Sequence, residues 1–136
     1  MTDQQITSHG FGRNLRLLTA SDYKAVFGQA EYKVSCAQFL ILAIRHGKTN
    51  PRMGLVIAKK NVRLAVHRNR VKRLCRESFR HRQHLLAGLD IVILVRKGLT
   101  DMDNAAIVQL LEKLWQDLVR RRDRQVALQA THQTIK

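Results

Sequence analysis

The stretch KKNVRLAVHRNRVKRLCRESFRHR, which runs from Lys59 to Arg82, decides the fold of this chain. It contains ten lysines and arginines and a single acidic residue. One set of positions in it has the i, i+3, i+4, i+7, i+8 spacing of one helix face. Those positions are Val71, Leu74, Cys75, Ser78 and Phe79. The spacing predicts an amphipathic helix from about Leu64 to Leu86.

The opposite face of this predicted helix is polar and cationic. At about 100° per residue, it carries Asn69, Arg73, Arg76 and Arg80. A rigid helix that is buried on one side and densely cationic on the other is suited to binding phosphates.

The residues before this stretch predict another helix. Thr19 and Asp22 have the spacing of a capping box, which places an acid near the positive end of the helix dipole. Tyr23, Val26 and Phe27 then lie on one side, and Gly28 ends the pattern.

Three apolar segments predict strands. Residues 32–46 alternate between two sets of side chains, and residues 47–51 predict a turn. We therefore expect residues 53–58 to form a second strand that pairs with the first as a hairpin. Residues 90–96 contain the run Ile-Val-Ile-Leu-Val, which is typical of a strand buried on both faces.

A last helix should follow, with Asp101 or Asp103 as its cap. Its apolar stripe is Ile107, Leu110, Leu111, Leu114 and Leu118. The order α-β-β-α-β-α predicts a single-domain α+β sandwich with a mostly antiparallel sheet. Residues 1–10 are expected to be disordered, and residues 120–136 to form a basic and then polar tail.

The composition favours a partner that is a polyanion. The chain has 136 residues, 45% of them apolar, and a formal net charge of +15. Nucleic acid is the first candidate, and an anionic membrane is the second. No apolar run approaches the roughly 20 residues of a membrane span, and the start MTDQQITSHG lacks the apolar stretch of a signal peptide. We therefore expect a cytoplasmic protein, whose two cysteines, Cys36 and Cys75, stay reduced.

The sequence argues against a catalytic site within the chain. It contains no phosphate-binding glycine loop, no zinc protease motif and no CxxC pair. His81 and His84 are neighbours on the basic helix but lie among cations, and the carboxylates are scattered. No metal site and no catalytic residue is predicted.

Bases of single-stranded RNA could instead stack on aromatic rings that are flanked by cations. The candidate rings are Tyr23, Phe27 and Phe39, although aromatic residues at helical spacing are also common in protein cores.

The motif residues resemble a known family. The segment GLVIAKKNVRLAVHRNRVKRLCRESFR resembles the signature of the bacterial ribonuclease P protein subunit. The residues that carry the resemblance are Gly54, Lys59, Lys60, Arg68, Asn69 and Arg70. FGRNLRLLTASDYKAVF, DIVILVRKG and DNAAIVQLLEKLW resemble the family's first helix, last strand and last helix, so the similarity covers about residues 11–119.

The resemblance implies an accessory role. In this family a large RNA removes the 5′ leader of precursor tRNA with magnesium that the RNA holds. The protein binds that RNA and the leader, broadens the substrate range, and needs neither a cofactor of its own nor an obligate protein partner. The family fold also has a left-handed β-α-β crossover around the basic helix.

Two sets of residues follow from the resemblance. The helix would face the catalytic RNA with Arg68, Asn69, Arg70, Lys72, Arg73, Arg76 and Arg80. A cleft between the first helix and the sheet would hold the leader with Tyr23, Phe27, Phe39, Lys59, Lys60, Arg13 and Arg16. The alternatives are a ribosomal or general RNA-binding protein without a role in cleavage, and a free-standing nuclease.

Overall fold

The structure is a computed structural model that describes residues 16–17, 19–46 and 50–135, with side chains as far as residue 127. Its elements are α1 (Ala20–Gln29), β1 (Tyr32–Ser35), β2 (Phe39–Arg45), β3 (Arg52–Ile57), α2 (Ala65–His81), β4 (Leu89–Val95) and α3 (Asn104–Ile135).

The four strands form one sheet in the order β1-β2-β4-β3. The pairs β1–β2 and β2–β4 are antiparallel, whereas β3 and β4 are parallel. The mixed α+β fold and the mostly antiparallel sheet are therefore confirmed. The unit β3–α2–β4 is the expected crossover around the basic helix, and its left-handedness stays a prediction.

Two expectations about the strands are wrong. Residues 32–46 form a hairpin of two strands, in which the amide of Cys36 donates to the carbonyl of Phe39 at 2.9 Å. Moreover, β3 does not pair with β2, because β4 lies between them. The strand β4 is buried along almost its whole length, as predicted, and a strand covered on both faces is stable only in the interior of a sheet.

The larger core lies between the sheet and the helices α2 and α3. The predicted buried face of α2 is confirmed in full: Val71, Leu74, Cys75, Ser78 and Phe79. Trp115 of α3 packs edge-to-face against Phe79, and its indole nitrogen donates to the hydroxyl of Ser78 at 2.8 Å. This pairing fixes the cationic side of α2 toward solvent.

A smaller core on the other face of the sheet holds α1. Val26 is fully buried against Leu17 and Val92. The predicted capping box is present, since Thr19 and Asp22 exchange backbone-to-side-chain hydrogen bonds at 3.2 and 3.1 Å. The sheet thus has α1 on one face and the two longer helices on the other.

The helix α3 is longer than expected. It begins at Asn104 after Asp103, whose carboxylate accepts from the amide of Ala106 at 2.8 Å. It then continues to Ile135 through most of the segment that the sequence assigned to a tail. Arg122 fastens this part to the body by donating to the carbonyls of Leu85 and Ala87 at 2.6 and 3.0 Å.

Candidate nucleic-acid interface

Two basic loops leave the sheet at the same end of its strands. Because β3 and β4 are parallel, their carboxyl ends lie side by side, and each is followed by cations. The loops enclose a cavity of about 740 Å³ whose lining includes Lys60, Arg63, His67 and Lys97. A recess with several cations and the start of a helix is suited to phosphate groups. The sequence did not predict Lys97 here, because the expected hairpin of β2 with β3 separated these loops.

The basic surface continues from this end of the sheet along the exposed side of α2. Asn69 and Arg73 are exposed, and Lys72, Arg76 and Arg80 are half-buried. These five predicted residues therefore lie where a flat RNA surface could reach them, on the helix that Phe79 and Trp115 hold in place.

Arg68 and Arg70, which are predicted to face the catalytic RNA, also make hydrogen bonds within the protein. Nη1 of Arg68 donates to the carbonyls of Val62 and Arg63 at 3.0 and 2.8 Å. Both arginines are half-buried, and their hydrogen bonds hold the two basic loops in place.

Arg70 makes the more extensive of these contacts. Its Nη1 donates to the Met102 carbonyl at 3.1 Å and to Oδ1 of Asn104 at 2.8 Å, and its Nη2 donates to the Leu99 carbonyl at 3.3 Å. It thus joins α2 to the loop before α3. The sequence could not show this, because the acceptors are backbone atoms about thirty positions further on.

The region between α1 and the carboxyl end of β3, called the cleft below, has exposed apolar side chains. Tyr23 is half-buried against the backbone of β3, and a Cβ atom at Gly54 would lie 2.5 Å from its ring. Next to it, Phe27 is 45% exposed and Val56 is 37% exposed. Val56 pairs with Leu94, which pairs in turn with Leu40, so an apolar row crosses the sheet beyond α1.

An ion-pair network holds α1 above this cleft. Arg52 of β3 donates to the buried carboxylate of Asp90 at 3.0 and 2.7 Å. Its other amino group lies 3.7 Å from the carboxylate of Asp22, next to Tyr23. The hydrogen bond to Asp90 raises the pKa of Arg52, so that this bridge keeps its charge.

The assignment of Phe39 to the cleft is wrong. Its side chain is fully buried in the larger core, on the face of the sheet opposite to α1. Because successive side chains of a strand point to opposite faces, Leu40 faces the cleft instead. Lys59 and Lys60 are exposed beyond the end of β3, and Arg16 is exposed beside the outer edge of β3, where it forms a bridge with Met53. Arg13 lies outside the described residues.

Metal-binding and membrane-spanning features were also sought. Within segments 16–17, 19–46 and 50–135, no three histidine, cysteine or acidic side chains are grouped as metal ligands. None of the helices in these segments combines the length and the hydropathy of a membrane span.

The fold and this surface define a small, strongly basic α+β domain that binds RNA. The sequence model of the family described as Ribonuclease P matches residues 11–119, and the chain belongs to this family. It is a protein subunit of the ribonuclease P endoribonuclease, which acts in tRNA processing, and its partner is the RNA of that enzyme. The family membership rules out the ribosomal alternative.

Individual relatives agree with this assignment. The chain is 52% identical over 119 residues to the "Ribonuclease P protein component" of Pseudomonas aeruginosa, which covers 88% of each chain. It also resembles the solved ribonuclease P protein of Thermotoga maritima, with a TM-score of 0.65 and 29% identity over 74% of this chain and 96% of that one. The Staphylococcus aureus protein superimposes with a TM-score of 0.69 and 25% identity over 75% and 93% of the two chains.

Proposed function

We propose that this subunit holds the 5′ leader of precursor tRNA in the cleft beside α1, while the exposed side of α2 docks on the catalytic RNA. One observation carries the proposal. The exposed apolar strip of Phe27 and Val56 runs toward the carboxyl end of β3, which Lys59 and Lys60 follow. Bases would contact the apolar side chains, and phosphates would contact the lysines.

Tyr23 gives the sharpest test of the cleft. The Cζ, Cε2 and hydroxyl end of its side chain lies against the strand at Gly54, and in this proposal the rest of the ring contacts a base of the leader. Stacking of one base contributes about 1–3 kcal/mol. Tyr23→Ala should therefore weaken the affinity of the holoenzyme for precursor tRNA by roughly one to two decades, at about 1.4 kcal/mol per decade. Tyr23→Phe, which keeps the ring, is the matched control.

The comparison with mature tRNA makes this test specific. Mature tRNA has no leader, so its affinity should stay the same in both variants. Assembly with the catalytic RNA should also stay the same, because that contact is assigned to the helix around Asn69. Equal losses for the two forms of tRNA would contradict the role of Tyr23 in leader binding.

Catalysis itself is assigned to the RNA and to magnesium held by the RNA. The described residues offer no group of carboxylates that would fit two magnesium ions for phosphodiester cleavage. Precursor tRNA should therefore be cleaved by RNA plus protein at low magnesium, but not by the protein alone. Cleavage by the protein alone would support the free-standing nuclease instead.

The same experiment tests the partners. Reconstitution from one pure protein and one RNA should give full activity, without a second protein. We also propose a cytoplasmic location, since precursor tRNA and the RNA subunit are bacterial transcripts of that compartment.

A further inference from the structure

A second basic groove lies between the start of β1 and the far part of α3. Its volume is about 330 Å³, and it is lined by Glu31, Tyr32, Lys33, Arg121, Arg124 and Gln125. Three of the six side chains are cationic, and those of Lys33, Arg121 and Arg124 are exposed.

The groove and the two basic loops lie at opposite ends of the strands of the sheet. Tyr32 pairs with Ala43, and Ala43 pairs with Ile91 near the start of β4. The basic loops follow the carboxyl ends of β3 and β4. A seven-residue strand such as β4 is roughly 20 Å long. A phosphate in the cavity at the loops therefore cannot also occupy this groove.

The part of α3 that forms the groove wall is held rigidly. Arg122 binds the carbonyls of Leu85 and Ala87, so its neighbours Arg121 and Arg124 are presented from a fixed helix. These residues also lie beyond position 119, at which the match to the family ends. The groove therefore uses residues outside the part of the chain that defines the family.

The hydroxyl of Tyr32 supplies an independent indication of a ligand. The residue is 5% exposed, and its hydroxyl oxygen is buried without a hydrogen-bond partner among the described residues. Leaving such a group unpaired is unfavourable, so a ligand that accepts a hydrogen bond from it would be stabilised. Burial raises the pKa of Tyr32, so the hydroxyl remains a donor at neutral pH. Tyr32 is also one of the residues that line the groove.

The acidic residues nearby already have partners. Glu31 accepts from the amide of Arg45 at 2.8 Å and lies 3.6 Å from the guanidinium of that residue. Asp117 lies 3.5 Å from Arg121 in a solvent-exposed pair, which is a weak interaction that a phosphate can displace.

We propose that this groove is a second RNA-binding site, which takes one backbone phosphate through Lys33, Arg121, Arg124 and the hydroxyl of Tyr32. The inference rests on the proposed function, because the RNA is either the catalytic RNA or the bound tRNA. Both present the same chemistry, and the experiment separates them.

The test uses a charge variant and a hydroxyl variant of the full chain. Arg121→Gln with Arg124→Gln should weaken RNA binding about tenfold at 0.1 M salt and reduce the log-log salt slope by about one unit. Tyr32→Phe should weaken binding about two- to tenfold without changing the slope, since it removes a hydrogen bond and no charge. Tyr32→Phe should keep or raise the melting temperature, because the hydroxyl has no partner among the described residues.

Three affinities decide the source of the phosphate. They are the affinity of the protein for catalytic RNA alone, and those of the holoenzyme for precursor and for mature tRNA. A loss in the first assigns the phosphate to the catalytic RNA. A loss for both tRNAs assigns it to the tRNA body, and a loss for precursor tRNA alone assigns it to the leader.

The control is Lys113→Gln, which removes one exposed charge from the same helix about two to three turns before Arg121 and Arg124. Losses equal to those of the control, or unchanged affinities for all three RNAs, would overturn the groove. Such a result would leave the proposed function intact if the wild-type protein still binds catalytic RNA and Tyr23→Ala still weakens the affinity for precursor tRNA but not for mature tRNA.

Discussion

At the scale of single residues, Gly54 explains why the side chain of Tyr23 can approach the backbone of β3 so closely. A methyl group at this position would lie 2.5–2.6 Å from Cζ, Cε2 and the hydroxyl oxygen of Tyr23, a distance at which that side chain must move. The glycine therefore shapes the cleft even though its backbone needs no unusual conformation: the only described residues with a positive φ are Gly88 and Gly98.

Gly54→Ala should displace the Tyr23 ring and weaken precursor tRNA binding, with little effect on mature tRNA. Gly28→Ala is the control, because nothing lies within 4 Å of its added methyl group in α1. That substitution should stabilise the protein by about 0.5–1 kcal/mol through helix propensity. Wild-type affinity of the Gly54→Ala holoenzyme for precursor tRNA would show that the ring position does not matter.

Arg70 and Arg73 lie on one helix but should differ in what they contribute. Arg70→Gln breaks hydrogen bonds to Leu99, Met102 and Asn104, so the free energy of unfolding should fall by about 2–3 kcal/mol. Arg73→Gln, at an exposed position, should change stability by less than about 0.5 kcal/mol. It should, however, reduce the salt slope of RNA binding by about one unit. Urea unfolding and salt titration would reveal a reversal of these roles.

For these residues, the kind of contact that a side chain can make was easier to predict than its position in the fold. The sequence shows that α2 is rich in cations, but it does not distinguish an arginine on an exposed helix face from one that binds a backbone carbonyl. Phe39 failed for a related reason. Its ring suits base stacking, but only the pairing of β2 shows that it points into the larger core.

At the scale of elements, helices were predicted better than strand pairing. The 3.6-residue period of α2 marks its buried face directly, because that face packs on the sheet as a continuous stripe. The β1–β2 hairpin is also visible in the spacing of the apolar residues. The buried positions are even in β1, at Tyr32 and Val34, but odd in β2, at Phe39 and Ile41. Such a change of parity is incompatible with one regular strand and indicates a turn or a bulge between the two segments.

The position of β4 shows what local pattern cannot reveal. Strands adjacent in sequence usually pair, and this rule favoured a β2–β3 hairpin. The apolar run of β4 requires cover on both faces and neighbours on both edges, which the insertion between β2 and β3 provides. Burial of one strand thus overrides sequence proximity.

The packing of α2 predicts a dependence of stability on pH. Burial raises the pKa of Cys75 to about 12. The thiol in the unfolded chain ionises near its usual pKa of about 8.5. Between these two values the unfolded state loses a proton that the native state keeps, so stability falls as the pH rises.

The wild-type protein should therefore lose about 1.4 kcal/mol more stability per pH unit above about pH 9 than Cys75→Ala. Chemical unfolding at pH 8, 9, 10 and 11 measures this difference, since other titrating groups are common to both proteins. The half-buried Cys36 should also react faster with thiol reagents at pH 8 than Cys75. Parallel pH profiles for the two proteins would contradict the burial argument.

At the scale of the whole molecule, charge sets two opposing responses to salt. A net charge of +15 on 136 residues makes the compact state repel itself, and salt screens this repulsion. The Debye length falls from about 10 Å at 0.1 M to about 3 Å at 1 M. The same salt weakens RNA binding, because the counterions released from the RNA gain less entropy in a more concentrated solution.

The melting temperature of the free protein should therefore rise between 0.05 and 0.5 M sodium chloride, while its affinity for catalytic RNA falls steeply. Lys60→Gln with Arg73→Gln removes two positive charges from exposed positions and should raise the melting temperature at 0.05 M salt. The increment that salt then adds should be smaller in this variant, because less repulsion is left to screen. A melting temperature that falls with salt would mean that attractive pairs such as Arg52–Asp90 outweigh the repulsion among the exposed cations. In that case RNA binding would not stabilise the fold by neutralising repulsion among its cations.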